Sequence, residues 1–137
     1  MFDQVLFKAQ VGGMKNKVLD YMRLYPMAWF MPICKDNAMY HTAIGECGKR
    51  DITVRGFEVI YRSEDDMFAD PDFIADERKK GRFVWVNSID LDGDPDMCAE
   101  HGDQYAMFDD MDKHWGFLTD RGYRVIQTDW PEVLKTY

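Results

Sequence analysis

Five short, β-rich apolar runs recur along this sequence between segments of helical periodicity: VLFKA at 5–9, AWFMPI at 28–33, FEVIY at 57–61, FVWVNS at 83–88 and RVIQT at 124–128. Each is too short for a globular helix, and most are almost continuously apolar rather than alternating, as strands covered on both faces must be. Such strands need helices to cover them, and the intervening segments have the length and pattern to do so. The expected class is α/β with a mostly parallel sheet.

The helical segments have readable ends. Met14, Val18, Met22 and Tyr25 recur at helical spacing ahead of Pro26, which disfavours helix in the residue before it. Between 71 and 80, Asp70 is placed as N-cap, Pro71 takes the first helical position and Gly81 supplies a left-handed stop. Acids lead that segment and bases close it, in accord with the helix dipole, so Arg78, Lys79, Lys80 and Arg82 read as a solvated helix C-terminus. A third helix is expected over 110–121, ending at Gly122, with Met111, Trp115 and Leu118 on its core face. A last one begins at Asp129 as cap, with Pro131 behind it, and 38–47 reads as a helix closed by Gly48.

A chain of 137 residues that is 46% hydrophobic can build one domain core. Its 17 basic and 25 acidic residues give a net charge of -8, which repels nucleic acid and anionic membranes, so neither is expected as a partner of the bulk surface. Cys34, Cys47 and Cys98 are odd in number and widely spaced, which predicts free thiols rather than a disulfide framework or a metal pair. The opening MFDQVLFKAQVGG has Asp3 and Lys8 but no long apolar core, so neither a signal peptide nor an anchor is expected there, and no other stretch is long enough to span a bilayer.

Asp90, Asp92, Asp94 and Asp96 alternate as the carboxylates of a Ca²⁺ loop do, but Pro95 stands where the turn glycine is needed and His101 where the bidentate glutamate is needed. A solvated acidic loop is the better reading, and His101, Gly102 and Asp103, which continue it, could reach a ligand. His41, His101 and His114 have no zinc spacing, and Val11-Gly12-Gly13 reads as a turn. In parallel α/β folds the site forms at the carboxyl ends of the strands, where Lys8, Glu58, Trp85, Asn87, Gln127 and Asp129 stand. A lysine within VLFKA and a glutamate within FEVIY are costly unless each meets an opposite charge, either a ligand's or each other's.

Read together, these segments resemble the bacterial glycerophosphodiester phosphodiesterases. The resemblance is carried by GRFVWVNSI (81–89), HGD (101–103) and HWGFLTDRGYRVIQTDWPEVLKTY (114–137), with DQVLFKA (3–9) and FMPI (30–33) upstream, in the family's order. The tryptophan-valine-asparagine strand and the closing IQTDWP are the most specific parts, and 36–54 is the weakest.

That resemblance implies a partial TIM barrel, a single incomplete domain over 1–137 whose five parallel strands correspond to the family's fourth to eighth. The family hydrolyses glycerophosphodiesters to an alcohol and glycerol 3-phosphate with Ca²⁺ or Mg²⁺. Its catalytic histidines, the arginine beside the first and its metal-binding acids lie on the first three strands. No His-Arg pair occurs in this sequence, nor the Glu-x-Asp strand that follows it, so no catalytic or metal-binding residue is carried over. The substrate-facing residues that do carry over are Trp85, whose ring would pack on the glycerol or alcohol moiety, and Asn87, with Lys8 and Glu58 on the neighbouring strands of the mouth. The expectation is a carboxy-terminal hydrolase fragment, inactive alone and prone to self-association through open barrel edges. The alternative is a non-catalytic homodimer that binds a phosphorylated ligand or a protein partner.

Overall fold

The computed structural model describes residues 5–91, 93 and 96–137. All five apolar runs form strands: β1 (Leu6–Ala9), β2 (Trp29–Cys34), β3 (Gly56–Val59), β4 (Phe83–Asn87) and β5 (Val125–Gln127). Among the described residues six α-helices accompany them: α1 (Lys17–Met22), α2 (Asn37–Gly48), α3 (Pro71–Lys79), α4 (Asp103–Phe108), α5 (Met111–Asp120) and α6 (Pro131–Thr136). The strands are hydrogen-bonded in sequential order, β1-β2-β3-β4-β5, as a parallel α/β sheet. The chain divides into two compact units, Met1–Glu58 and Val59–Tyr137.

In the first unit β1 pairs with β2 from Leu6↔Trp29 to Ala9↔Pro32. Asp36 caps α2, accepting the Met39 N–H at 2.7 Å, and Tyr40 sets its ring against Phe57 of β3 at 4.9 Å. The helix does not stop before Gly48 as expected. Gly48 is its last helical residue, and the left-handed position falls to Asp51 at φ 55, with Ile52 N–H donating to Cys47 O and Asp51 N–H to Gly48 O. These two bonds make a Schellman stop in which an aspartate, one of the few residues to tolerate αL, replaces glycine. The periodicity over 14–25 is also only half realised. Gly12 and Gly13 turn the chain into a 3₁₀ segment at Gly13–Asn16, so α1 is short, Leu19 and Met22 are its buried residues, and Met14 and Tyr25 stay exposed.

In the second unit β4 and β5 run in register as Trp85↔Val125, Val86↔Ile126 and Asn87↔Gln127. Strand pleating sends Val84, Val86 and Ser88 to one face and Phe83, Trp85 and Asn87 to the other. Phe68, Ile74, Val86, Trp115 and Leu118 are fully or almost fully buried, and Tyr123 anchors this core by donating its hydroxyl to Phe68 O at 2.5 Å. Both glycine stops form as expected: Gly81 (φ 75) after α3 and Gly122 (φ 96) after α5 complete Schellman bonds from Arg82 N–H to Glu77 O and from Tyr123 N–H to Leu118 O. Asp70 and Asp110 cap α3 and α5. Asp129 does not cap α6. Trp130 holds that position without a side-chain bond, and the Asp129 backbone N–H donates to the Asp103 carboxylate at 2.7 Å. Among the described residues no helix is long and apolar enough to cross a membrane.

Candidate functional site

The carboxyl ends of β4 and β5 carry the best-organised polar cluster of the second unit. Trp85 and Asn87 are two residues apart on one strand and therefore share a face, and the indole Nε1 donates to Asn87 Oδ1 at 2.9 Å. Asn87 is buried and its amide lies 4.0 Å from Met97 Sδ, whereas Trp85 is only half-buried. The register places Val125 beside Trp85 and Gln127 beside Asn87. The result is an aromatic platform edged by amides.

Beneath the platform is a brace centred on Asp103, which the sequence had placed in a solvated acidic loop. Asp103 is instead the first residue of α4 and is 3% exposed. Its carboxylate accepts from Ser88 Oγ at 2.5 Å, Trp115 Nε1 at 3.2 Å, Thr128 Oγ1 at 2.9 Å and Asp129 N–H at 2.7 Å. Four donors fill the lone-pair capacity of a carboxylate, so Asp103 positions the ends of β4 and β5 and has no room for a ligand. Gly102 fits closely next to it: a Cβ there would lie 3.1 Å from Ser88 O, so the neighbouring backbone would have to give by a few tenths of an ångström.

His101 is also buried. Its ring stacks on Phe117 at 3.7 Å between centroids, Nε2 lies 3.0 Å from Glu64 Oε1, and His114 lies 5.5 Å away with its own Nε2 3.0 Å from Asp109. Burial pulls the His101 pKa down, the Glu64 contact opposes it and the His114 charge adds to the lowering. Asp90 moves the other way: burial raises its carboxyl pKa first, Asp103, Asp129 and Asp96 raise it further, and the Gln104 backbone N–H opposes them. Asp96 is a turn-former, accepting from Cys98 and Glu100 N–H, while Asp92, Asp94 and Pro95 lie outside the described residues. His41 is exposed on α2. Among the described residues no three His, Cys, Asp or Glu side chains converge as a metal site would need.

The other two residues singled out from the sequence meet in the first unit. Lys8 Nζ lies 3.0 Å from Glu58 Oε2, with the lysine side chain 43% exposed and the glutamate 5%. Each thus satisfies the other's charge at the rim of its strand. The structure pairs Trp85 with Asn87 and Lys8 with Glu58. Ser88, Asp103 and the buried role of His101 were not legible beforehand, and the HGD triplet was the one visible trace of them.

A sequence profile for a family of domains of unknown function, DUF4996, matches residues 30–137. The chain belongs to the DUF4996 family. The matched span contains Glu58, Trp85, Asn87 and the whole Asp103 brace, whereas Lys8 lies upstream of it. No curated protein matches the chain.

Proposed function

We propose that this DUF4996 chain supplies the substrate-facing, carboxy-terminal part of a glycerophosphodiester phosphodiesterase-like β/α barrel, its five strands standing as the fourth to eighth. The observation that carries the reading is the Trp85–Asn87 pair, a half-open indole oriented by an amide at the carboxyl end of a parallel strand. The glycerol or alcohol moiety of a diester packs on that ring, which Asn87 orients from the same face. In the first unit Lys8 is the point charge suited to a phosphate oxygen, held in place by Glu58. Hydrolysis needs the His-Arg pair, which 1–137 lacks, so the chain alone binds without turnover.

Titrating the ¹⁵N-labelled protein with glycerophosphocholine tests the reading. A saturable shift of the Trp85 indole N–H is expected, and Trp85→Ala should weaken binding about tenfold by calorimetry. An indole that does not move at saturating ligand would sink the assignment of Trp85, and robust Ca²⁺- or Mg²⁺-dependent hydrolysis by the chain would sink its incompleteness.

A non-catalytic homodimer is the second reading, favoured by β1 and β5 each having one neighbouring strand among the described residues and by Phe7 of β1 being 40% exposed. Sedimentation separates the two: a defined soluble dimer supports the second reading, and a polydisperse product supports the first.

A further inference from the structure

At the opposite, amino-terminal ends of β4 and β5, the second unit has a groove of about 280 Å³. It is framed by the two glycine stops described above. Gly81 delivers Arg82 to the start of β4 and Gly122 leads through Tyr123 to Arg124 at the start of β5, so both turns bring an arginine to the same rim. Neither glycine position accepts a side chain without strain, because both are left-handed, and the groove stays open between them. The floor is Ile74, Phe83 and Val84, and the rim is Arg78, Arg82 and Arg124.

Among the described residues, none of the side chains that line this groove is acidic, although residues 59–137 carry 9 Lys and Arg against 19 Asp and Glu. Arg82 is pre-set: its Nε and Nη2 hold the carboxylate of fully buried Glu77 at 2.6 and 3.0 Å, which fixes the plane of the guanidinium. Arg78 and Arg124 are exposed and, among the described residues, neither is ion-paired. Glu77 offsets the Arg82 charge, whereas Arg78 and Arg124 bring theirs uncompensated to the same groove, and a bound anion offsets both.

We propose that this groove binds a soluble organic phosphate monoester, with the phosphate held by the guanidinium groups of Arg78, Arg82 and Arg124 and a short apolar portion lying on Ile74, Phe83 and Val84. Arginine matches phosphate through paired N–H donors, and a monoester dianion brings the larger charge to the rim. The apolar floor discriminates against inorganic phosphate, which has nothing to lay on it. A soluble ligand is favoured over a bilayer headgroup because a small anion meets the arginines at short range, whereas an extended anionic surface faces the whole acidic unit. The groove and its ligand do not depend on the assignment of Trp85.

The test is an NMR titration of the full chain with hexyl phosphate, inorganic phosphate and hexanol, followed at the amides of Gly81, Arg82, Gly122 and Arg124. Hexyl phosphate is expected to bind saturably and about tenfold or more tighter than inorganic phosphate, with hexanol weaker than either. Arg78→Gln with Arg124→Gln, both on exposed side chains, should cut hexyl phosphate affinity about tenfold or more, while the charge-matched Lys113→Gln with Lys135→Gln leaves it unchanged. Equal loss in both double variants would mean diffuse ionic attraction and overturn the site. So would equal affinity for the two phosphates, or binding only to phosphatidic acid vesicles with no response to hexyl phosphate.

Discussion

Ser88 and Asp103 hold each other twice: the serine hydroxyl donates to the aspartate carboxylate at 2.5 Å, and the aspartate backbone N–H donates to the serine carbonyl at 2.6 Å. With Trp115, Thr128 and Asp129 on the same carboxylate, one buried acid ties β4, α5 and the turn after β5. Asp103→Ala removes the shared acceptor and strands buried donors, so it should cost about 3 kcal/mol or more of stability. Urea unfolding by far-UV circular dichroism measures this, and a loss below ~1 kcal/mol would show that the donors find other partners.

The Lys8–Glu58 pair is open to a double-mutant cycle. Lys8→Met leaves the Glu58 carboxylate buried beside a methyl group, and because the lysine is itself half-exposed the cost should be about 1–2 kcal/mol, below that of a fully buried pair. Adding Glu58→Gln should recover part of it. If Lys8→Met costs under ~0.5 kcal/mol, the lysine contributes little to stability and its role is left to a ligand.

His101 predicts an acid limb to stability. Its folded-state pKa lies below the ordinary imidazole value, chiefly through burial, so below that value the unfolded chain binds the proton more readily than the folded one. The stabilising contribution is complete above pH ~6.5 and is lost as pH falls through the lowered folded value. Urea midpoints measured between pH 8 and 5 should decline on the acid side, and His101→Gln should flatten the decline. An unchanged slope in that variant would assign the acid limb to other groups.

Asp90 carries the opposite sign. Burial, followed by Asp103, Asp129 and Asp96, raises its folded-state pKa, so the ionised folded protein is penalised and the penalty fades as pH falls to the ordinary carboxylate value, ~3.9. Asp90→Asn keeps an acceptor for Gln104 while removing the charge. It should raise the melting temperature at pH 7 and make little difference near pH 3.5, whereas a lower melting temperature at pH 7 would show that the charge is stabilised there.

Much of the secondary structure could be read from local signals. The strands announced themselves as apolar runs, and α3 and α5 through Asp70, Gly81 and Gly122, because caps and left-handed stops act within a few residues. The failures were local ambiguities settled by geometry. Asp51 took the left-handed place expected near Gly48, and α4 went unseen because it is six residues long and begins after Gly102 with no side-chain cap.

The candidate site divides in the same way. Trp85 and Asn87 could be placed on one face from the sequence alone, since a strand has a side-chain period of two. Nothing in the sequence marked Asp103 as buried: its partners lie 12 to 26 positions away, and an acid amid acids looks solvated until the fold brings donors to it. Likewise the run Arg78 to Arg82 read as a helix end, and only the parallel register of β4 and β5 set Arg124 beside it. The sequence by itself determined the five strands and the capped helices α3 and α5, because propensity, capping and hydrophobic period are short-range. Tertiary structure alone decided which charges are buried, paired or gathered on one rim, because desolvation and Coulomb energy depend on neighbours that the chain order does not reveal.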